Sequence, residues 1–244
     1  MKTDQLFADD AYLKSAQANV LAITGEGGIV LDRTPFYANS GGQPGDSGYF
    51  EREDGTRFSI ATTVYERGGK SVIVHVPEAE APLPAPGERL TAIIDWERRL
   101  KLMKMHTACH LLSVVCPEPI TGAAVNEQDS RIDFDMSETA DKRELSEKLM
   151  ELVAGNHPVY TQWITEDELD ANPDLVRSKN VKPPRGLGKI RLVCIGENAV
   201  IDSQPCGGTH VTNTREIGPI HIGKIEKKGR ENRRMRIRFG PLPA

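Results

Sequence analysis

The 244-residue sequence predicts an α+β fold, and three observations carry that expectation. Residues 14 to about 95 hold short apolar segments separated by glycine-rich turns. From Trp96 the apolar positions recur every three or four residues instead. Beyond Pro117, helical stripes and strand-like runs are interspersed. Short strands joined by tight turns favour a small barrel or sandwich, and interspersed helices and strands favour a two-layer α/β arrangement on a mainly antiparallel sheet. The expected organisation is a glycine-rich, barrel-like domain over residues 1–97 and a second, α/β domain over residues 98–244.

Each element has its own signal. Residues 20–23 and 29–31 flank Thr-Gly-Glu-Gly-Gly, which marks a hairpin. Residues 58–65, 71–76 and 89–94 read as further strands, and residues 77–87, with four prolines, as a surface loop. Trp96, Leu100, Met103, Thr107, Leu111 and Val114 form one helical stripe, which Pro117 terminates. Ile132, Phe134 and Met136 alternate as a strand does. Ser137 is placed to cap a helix over 138–154 that buries Leu145, Leu149 and Leu152. Thr165 and Glu168 have the spacing of a capping box. Residues 190–195 and 199–201 read as a hairpin around Gly196-Glu197-Asn198, and 220–225 and 235–239 as the last strands.

Composition narrows the function classes. No apolar run approaches the roughly 18 residues of a membrane helix, and the polar start is unlike a secretory signal. Four irregularly spaced cysteines make no disulfide framework, so a cytoplasmic protein is expected in which Cys with His points to metal or catalysis. No membrane partner is expected, and monomer and dimer are both open. The net charge of -4 conceals two basic islands. Residues 177–191 hold six Lys/Arg and no acid; residues 223–244 hold eight Lys/Arg and two acids. Such islands steer a polyanion to one place, although charge runs are often only solvated surface.

Two short motifs carry metal chemistry. Cys206-Gly-Gly-Thr-His210 sets a thiol and an imidazole four positions apart on a glycine turn, and His106-Thr-Ala-Cys-His110 sets two imidazoles at i and i+4 on one helix face. Together His106, His110, Cys206 and His210 make a donor set suited to one tetrahedral zinc ion. Cys109 lies near the same face and is read as packing; His75, His157 and His221 have no paired partner and are read as ordinary residues. Thr107 stands where the HExxH metalloprotease pattern needs Glu, and Cys206 is not followed by the second Cys of a zinc deaminase. The glycine-rich stretch of residues 34–48 lacks the phosphate-loop and dinucleotide patterns. It concentrates Thr34, Gln43 and Asp46, which suits reading a small polar substrate.

HTACH, CGGTH and TPFYANSGGQPGDSG, in this chain with the Arg131-Ile-Asp-Phe strand and the Glu216-Ile-Gly-Pro-Ile tail, resemble the alanyl-tRNA editing proteins. These are freestanding relatives of the editing domain of alanyl-tRNA synthetase, in a medium-length class with an N-terminal glycine-rich domain. The resemblance covers most of the chain. It implies zinc ligation by His106, His110, Cys206 and His210, amino-acid sensing by Thr34, and hydrolysis in trans of the seryl, and in some cases glycyl, ester on alanine tRNA without ATP. The second domain would then be the zinc-containing editing domain. Thr34, Gln43 and Asp46 are the candidate catalytic residues. Arg185, Arg230, Arg233 and Arg234 are the candidate contacts to the tRNA acceptor end. The competing expectation is a non-catalytic RNA-binding module in which zinc is structural, which would unfold when zinc is removed.

Overall fold

The computed structural model describes residues 1–79, 83–138, 140–180, 183 and 188–243. The chain divides into two compact units, Met1–Leu100 and Lys101–Ala244.

In the first unit, β1 (Asp4–Gln5) pairs in parallel with β4 (Arg33–Thr34). The rest is a closed antiparallel barrel of β2 (Ser15–Ile23), β3 (Ile29–Leu31), β5 (Gly48–Arg52), β6 (Arg57–Tyr65), β7 (Ile73–Pro77) and β8 (Arg89–Ile94), in the order β2-β3-β7-β6-β5-β8. Alternate residues point inward. Ala18, Val20, Leu31, Phe50, Phe58, Ile60, Leu90, Ala92 and Ile94 therefore fill the interior. Closure satisfies strand edges that would otherwise be open. The expected strands are found. β1 and β4 were too short to produce a period, and β5 is hidden by its adjoining glycines.

Those glycines have a packing reason. A Cβ on Gly45 would lie 1.9 Å from the Thr63 carbonyl oxygen, and one on Gly48 would lie 2.2 Å from that of Ile93. The stretch before β5 therefore lies flat on neighbouring backbone, which only glycine permits. A buried ion pair holds it there. Arg99 and Asp46 are 0% and 1% exposed. The Arg99 Nε hydrogen bonds to both Asp46 oxygens at 3.0 Å, its other nitrogens reach the carbonyls of Ala11 and Pro35 at 2.9 and 2.7 Å, and Asp46 also accepts from the Tyr37 N–H at 2.6 Å.

α1 (Trp96–Val115) follows, as its stripe and Pro117 require. The second unit holds two antiparallel sheets. One has the order β14-β15-β10-β9, from β9 (Ile120–Ala124), β10 (Asp129–Asp135), β14 (Ile220–Gly229) and β15 (Asn232–Phe239). α2 (Lys142–Ala154) covers it, burying Leu145, Leu149 and Val153, and its Ser146 hydroxyl accepts from the Ile222 N–H at 3.0 Å. The other sheet has the order β11-β12-β13, from β11 (Val159–Ile164), β12 (Ile190–Ile195) and β13 (Asp202–Pro205). α3 (Glu166–Ala171) starts with the expected Thr165/Glu168 capping box.

Two boundaries differ from expectation. Asp141, not Ser137, caps α2, because its carboxylate accepts from the N–H groups of Arg143 and Glu144. The hairpin after β12 forms as expected, with the Ile201 N–H bonded to the Ile195 carbonyl at 3.1 Å, but its return strand starts later than residue 199. The chain makes a single 3-10 turn over Glu197–Ala199, in which Asn198 and Ala199 are left-handed at φ 53° and 58°, and β13 starts at Asp202.

Candidate metal centre and its surroundings

Within the second unit, α1 carries His106 and His110 on one face, and the loop after β13 carries Cys206 and His210. Their ligand atoms all lie within 4.8 Å of one another, and all four residues are part of one cluster. The Cys206 sulfur is 3.5 Å from His106 Nε2 and 3.4 Å from His210 Nε2. Turns of the loop are fixed by Arg191, which donates from Nη1 to the carbonyls of Cys206 and Gly208 at 2.8 and 3.0 Å. Cys109 stays outside the cluster, and burial pushes its thiol up to about 12.

Outer partners set the ring tautomers. The Thr107 hydroxyl donates to the Met103 carbonyl at 3.0 Å, so at 3.1 Å from His210 Nδ1 it accepts the Nδ1 proton. His110 Nδ1 is 3.0 Å from the Asp202 carboxylate, which accepts its proton. Both rings thus turn Nε2 toward the cluster, the arrangement that metal-binding histidines use. Asp202 is itself held by Arg177 at 2.9 Å and by Gln204 Nε2 at 2.9 Å, and Gln204 also donates to Ser113 Oγ at 2.8 Å.

The electrostatics favour the ligating form at Cys206 and His210. Burial opposes a thiolate on Cys206, yet the neighbouring His106 and His210 hold it well below the ordinary thiol range. Burial, and then the charge of His106, push His210 well below the usual imidazole value. A thiolate and a neutral imidazole are the forms that ligate metal. Burial also opposes charge on His110, but the Asp202 carboxylate and the Cys206 sulfur outweigh it and lift it to about 10, so this ring has to shed its Nε2 proton when it ligates. The residues present therefore fit a metal ion: three imidazoles, one thiolate and outer partners on two of the rings.

Asp202→Asn is expected to weaken metal affinity by ~10–100-fold, the usual size for an outer partner of a metal-binding histidine. Competition with a chromogenic chelator measures it, with Asp202→Glu expected to restore part of the loss. Equal affinities for Asp202→Asn and the parent would refute this role.

Asp202, Gln204, Thr107, Arg177 and Arg191 were missed from sequence. Strand parity was the available signal for two of them: Asp202 and Gln204 precede Cys206 by four and two residues, so all three project to one side.

Other candidate residues are placed as follows. Thr34 and Gln43 are fully buried in the first unit, and Asp46 is committed to Arg99. The Thr34 hydroxyl lies 2.8 Å from His75 Nε2, and His75 Nδ1 lies 3.0 Å from the Ile29 carbonyl. A carbonyl only accepts, so Nδ1 bears the proton and Thr34 donates to Nε2. The Phe36 N–H donates to the same hydroxyl at 3.1 Å. Burial lowers His75 to about 4, so this network stays neutral at physiological pH.

The arginines of β15 divide by parity. Arg234, Arg236 and Arg238 share a face, as expected, but β10 and β14 present acids opposite them. Arg234 binds Asp133 at 2.7 Å, Arg236 binds Asp129 and Glu226 at 2.8 and 2.6 Å, and Arg238 binds Asp129 at 2.8 Å. Arg233 shares the inward parity of Met235 and Ile237; it is 6% exposed and donates to the carbonyls of Gly229 and Ser137. Arg230 is exposed in the β14–β15 turn. Arg185 lies outside the described residues.

Comparison with known proteins finds relatives over most of the chain. Residues 190–236 match the threonyl and alanyl tRNA synthetase second additional domain, and residues 6–98 match the class II (A) tRNA synthetases. An alanyl-tRNA editing protein AlaX-M of Methanosarcina acetivorans is 36% identical over 241 residues, covering 96% of this chain and 97% of the relative. The AlaX-M protein of Saccharolobus solfataricus is 30% identical over 237 residues, with the same coverage of 96% and 97%. An alanine–tRNA ligase of Pyrobaculum aerophilum is 38% identical over 237 residues, but these make up only 26% of that ligase.

Proposed function

Since this chain belongs to the alanyl-tRNA editing protein family, we propose that it hydrolyses the ester of mischarged alanine tRNA in trans, in the cytoplasm and without ATP. The observation that carries this reading is the cluster of His106, His110, Cys206 and His210 with its outer partners. Seryl-tRNA for alanine is the proposed main substrate, glycyl-tRNA a second, and the acceptor end of the tRNA the partner. One zinc ion is the proposed cofactor, held by the four clustered side chains. Zinc in such a place supplies positive charge that polarises a carbonyl or a water molecule.

The chain's own residues do the rest. Asp202 and Thr107 hold the Nδ1 protons of His110 and His210, which keeps both rings in the ligating tautomer. Arg191 fixes the loop that bears Cys206. The two ligand pairs lie 96 residues apart in sequence (206 minus 110), and joining a helix to a distant loop serves a cleft better than a local structural knuckle. Among the candidate RNA contacts, Arg230 presents an exposed side chain, and Arg234 a half-buried one already paired with Asp133.

Selectivity must spare the alanyl ester and cut the seryl ester. A site that bonds a substrate hydroxyl discriminates strongly against the analogue lacking it. Thr34 is proposed for that contact. Its proton goes to His75 and one lone pair to the Phe36 N–H, which leaves one lone pair to accept from a serine hydroxyl. Thr34→Val keeps the shape and removes that acceptor. Seryl-tRNA hydrolysis is expected to fall about tenfold, the size of one hydrogen bond in a transition state, with metal content unchanged. Unchanged seryl activity in Thr34→Val would remove Thr34 from the account.

A further inference from the structure

β11 is an edge strand whose residues 160–163 are all exposed. Its largest side chain, Trp163, is 51% exposed, although an indole is normally buried or covered. Register fixes which way it points. Trp163 pairs with Arg191 and Thr161 with Val193 on β12, and Val193 pairs with Gln204 on β13. Cross-strand partners project to the same face. Trp163 therefore shares the face of Arg191, Gln204 and Asp202, which is the face turned to the metal cluster. Arg191 bridges the two, since it lies beside Trp163 and donates to the carbonyls of Cys206 and Gly208. At about 4.8 Å per strand, Trp163 stands about 10 Å from the Cys206 backbone across the sheet.

We propose that the indole of Trp163 is the stacking platform for the unpaired terminal nucleobase of the RNA whose ester lies at the metal cluster. This rests on the reading that the substrate is an aminoacyl-tRNA. Unpaired bases at RNA ends are recognised by stacking on exposed aromatic rings next to cationic groups. Two cations stand close by, since Arg191 lies on the same face and exposed Lys189 immediately precedes β12, while the acids Glu166, Asp167 and Glu168 follow β11 at the start of α3. The ester and the base of one nucleotide are separated by its ribose, and the sheet offers the two groups places separated by one intervening strand. Trp96, the other tryptophan, belongs to the first unit, packed against Tyr12 and Lys14.

The test is a double-mutant cycle on uncharged alanine tRNA and on the same tRNA with its 3′-terminal base removed to leave an abasic ribose. Trp163→Ala is expected to weaken binding of the intact tRNA about tenfold, and Trp163→Phe to keep it within about threefold. Removing the base should weaken the parent about tenfold and Trp163→Ala no further. Metal content and melting temperature should be those of the parent, since the indole is exposed. Equal losses on base removal in the parent and in Trp163→Ala would overturn the proposal. So would unchanged RNA binding with an altered sedimentation coefficient in Trp163→Ala, which would make the indole a protein contact. The binding cycle needs no hydrolysis. Coupling without seryl-ester cleavage would retain the platform and reject the editing reading; cleavage without coupling would do the reverse.

Discussion

Cys206→Ala loses its metal and about 10³-fold of its seryl-ester hydrolysis while remaining folded: this is the first expected result. The thiolate is the anionic member of a cluster otherwise made of imidazoles. Without it, three imidazoles would be left to hold the proposed cation with no negative ligand. Loss of several kcal/mol of charge stabilisation at the reacting carbonyl corresponds to about three decades of rate at 1.36 kcal/mol each. The fold should persist, because the second unit has its own core in the α2-covered sheet, where Leu145, Leu149, Ile222, Met235 and Ile237 are buried independently of the cluster. Metal analysis, initial rates and far-UV circular dichroism on the same preparation separate these outcomes. A variant that retains metal and hydrolysis would show that Cys206 is not a ligand. A variant that unfolds would favour the structural-zinc reading.

Arg99→Ala is expected to destabilise the first unit by about 3–5 kcal/mol, the range for breaking one side of a buried ion pair. The size follows from burial. Asp46 is 1% exposed, so without Arg99 its charge is left with the Tyr37 N–H as its main donor. Two carbonyl oxygens, of Ala11 and Pro35, lose donors as well. At about 4–8 °C per kcal/mol for a unit of about 100 residues, the barrel transition should fall by at least about 12 °C. Pairing Arg99→Met with Asp46→Leu should recover part of the loss, because no charge then remains buried without a partner. A melting point within 2 °C of the parent would contradict the assignment of Asp46 as an anchor of the glycine-rich stretch.

That anchor illustrates what the sequence conceals. Asp46 was legible as a polar residue in a glycine-rich loop, which suggested chemistry. Its partner lies 53 positions away on a helix, and no local pattern joins them. The α+β class, the barrel strands with clear alternation, α1 and the Thr165 cap were legible because each is set by periodicity or by neighbours within four residues. β1 and β4 were not, since two residues carry no period, and β9 was not, since Ile120–Ala124 holds a single bulky apolar side chain. The four clustered side chains were legible because each pair is compact in sequence. Their outer partners were not, except through the parity of β13. The basic face of β15 was read correctly in direction, as Arg234, Arg236 and Arg238 do share a side. The acids opposite them come from β10 and β14, and only the pairing of strands reveals them.

The most direct measurement is incubation of the protein with seryl-tRNA and alanyl-tRNA for alanine, with and without a metal chelator, followed by zinc add-back. The seryl ester should be cleaved and the alanyl ester spared, cleavage should stop with chelator while the fold persists, and zinc should restore it. Survival of the seryl ester in the presence of folded, zinc-loaded protein would contradict the editing function.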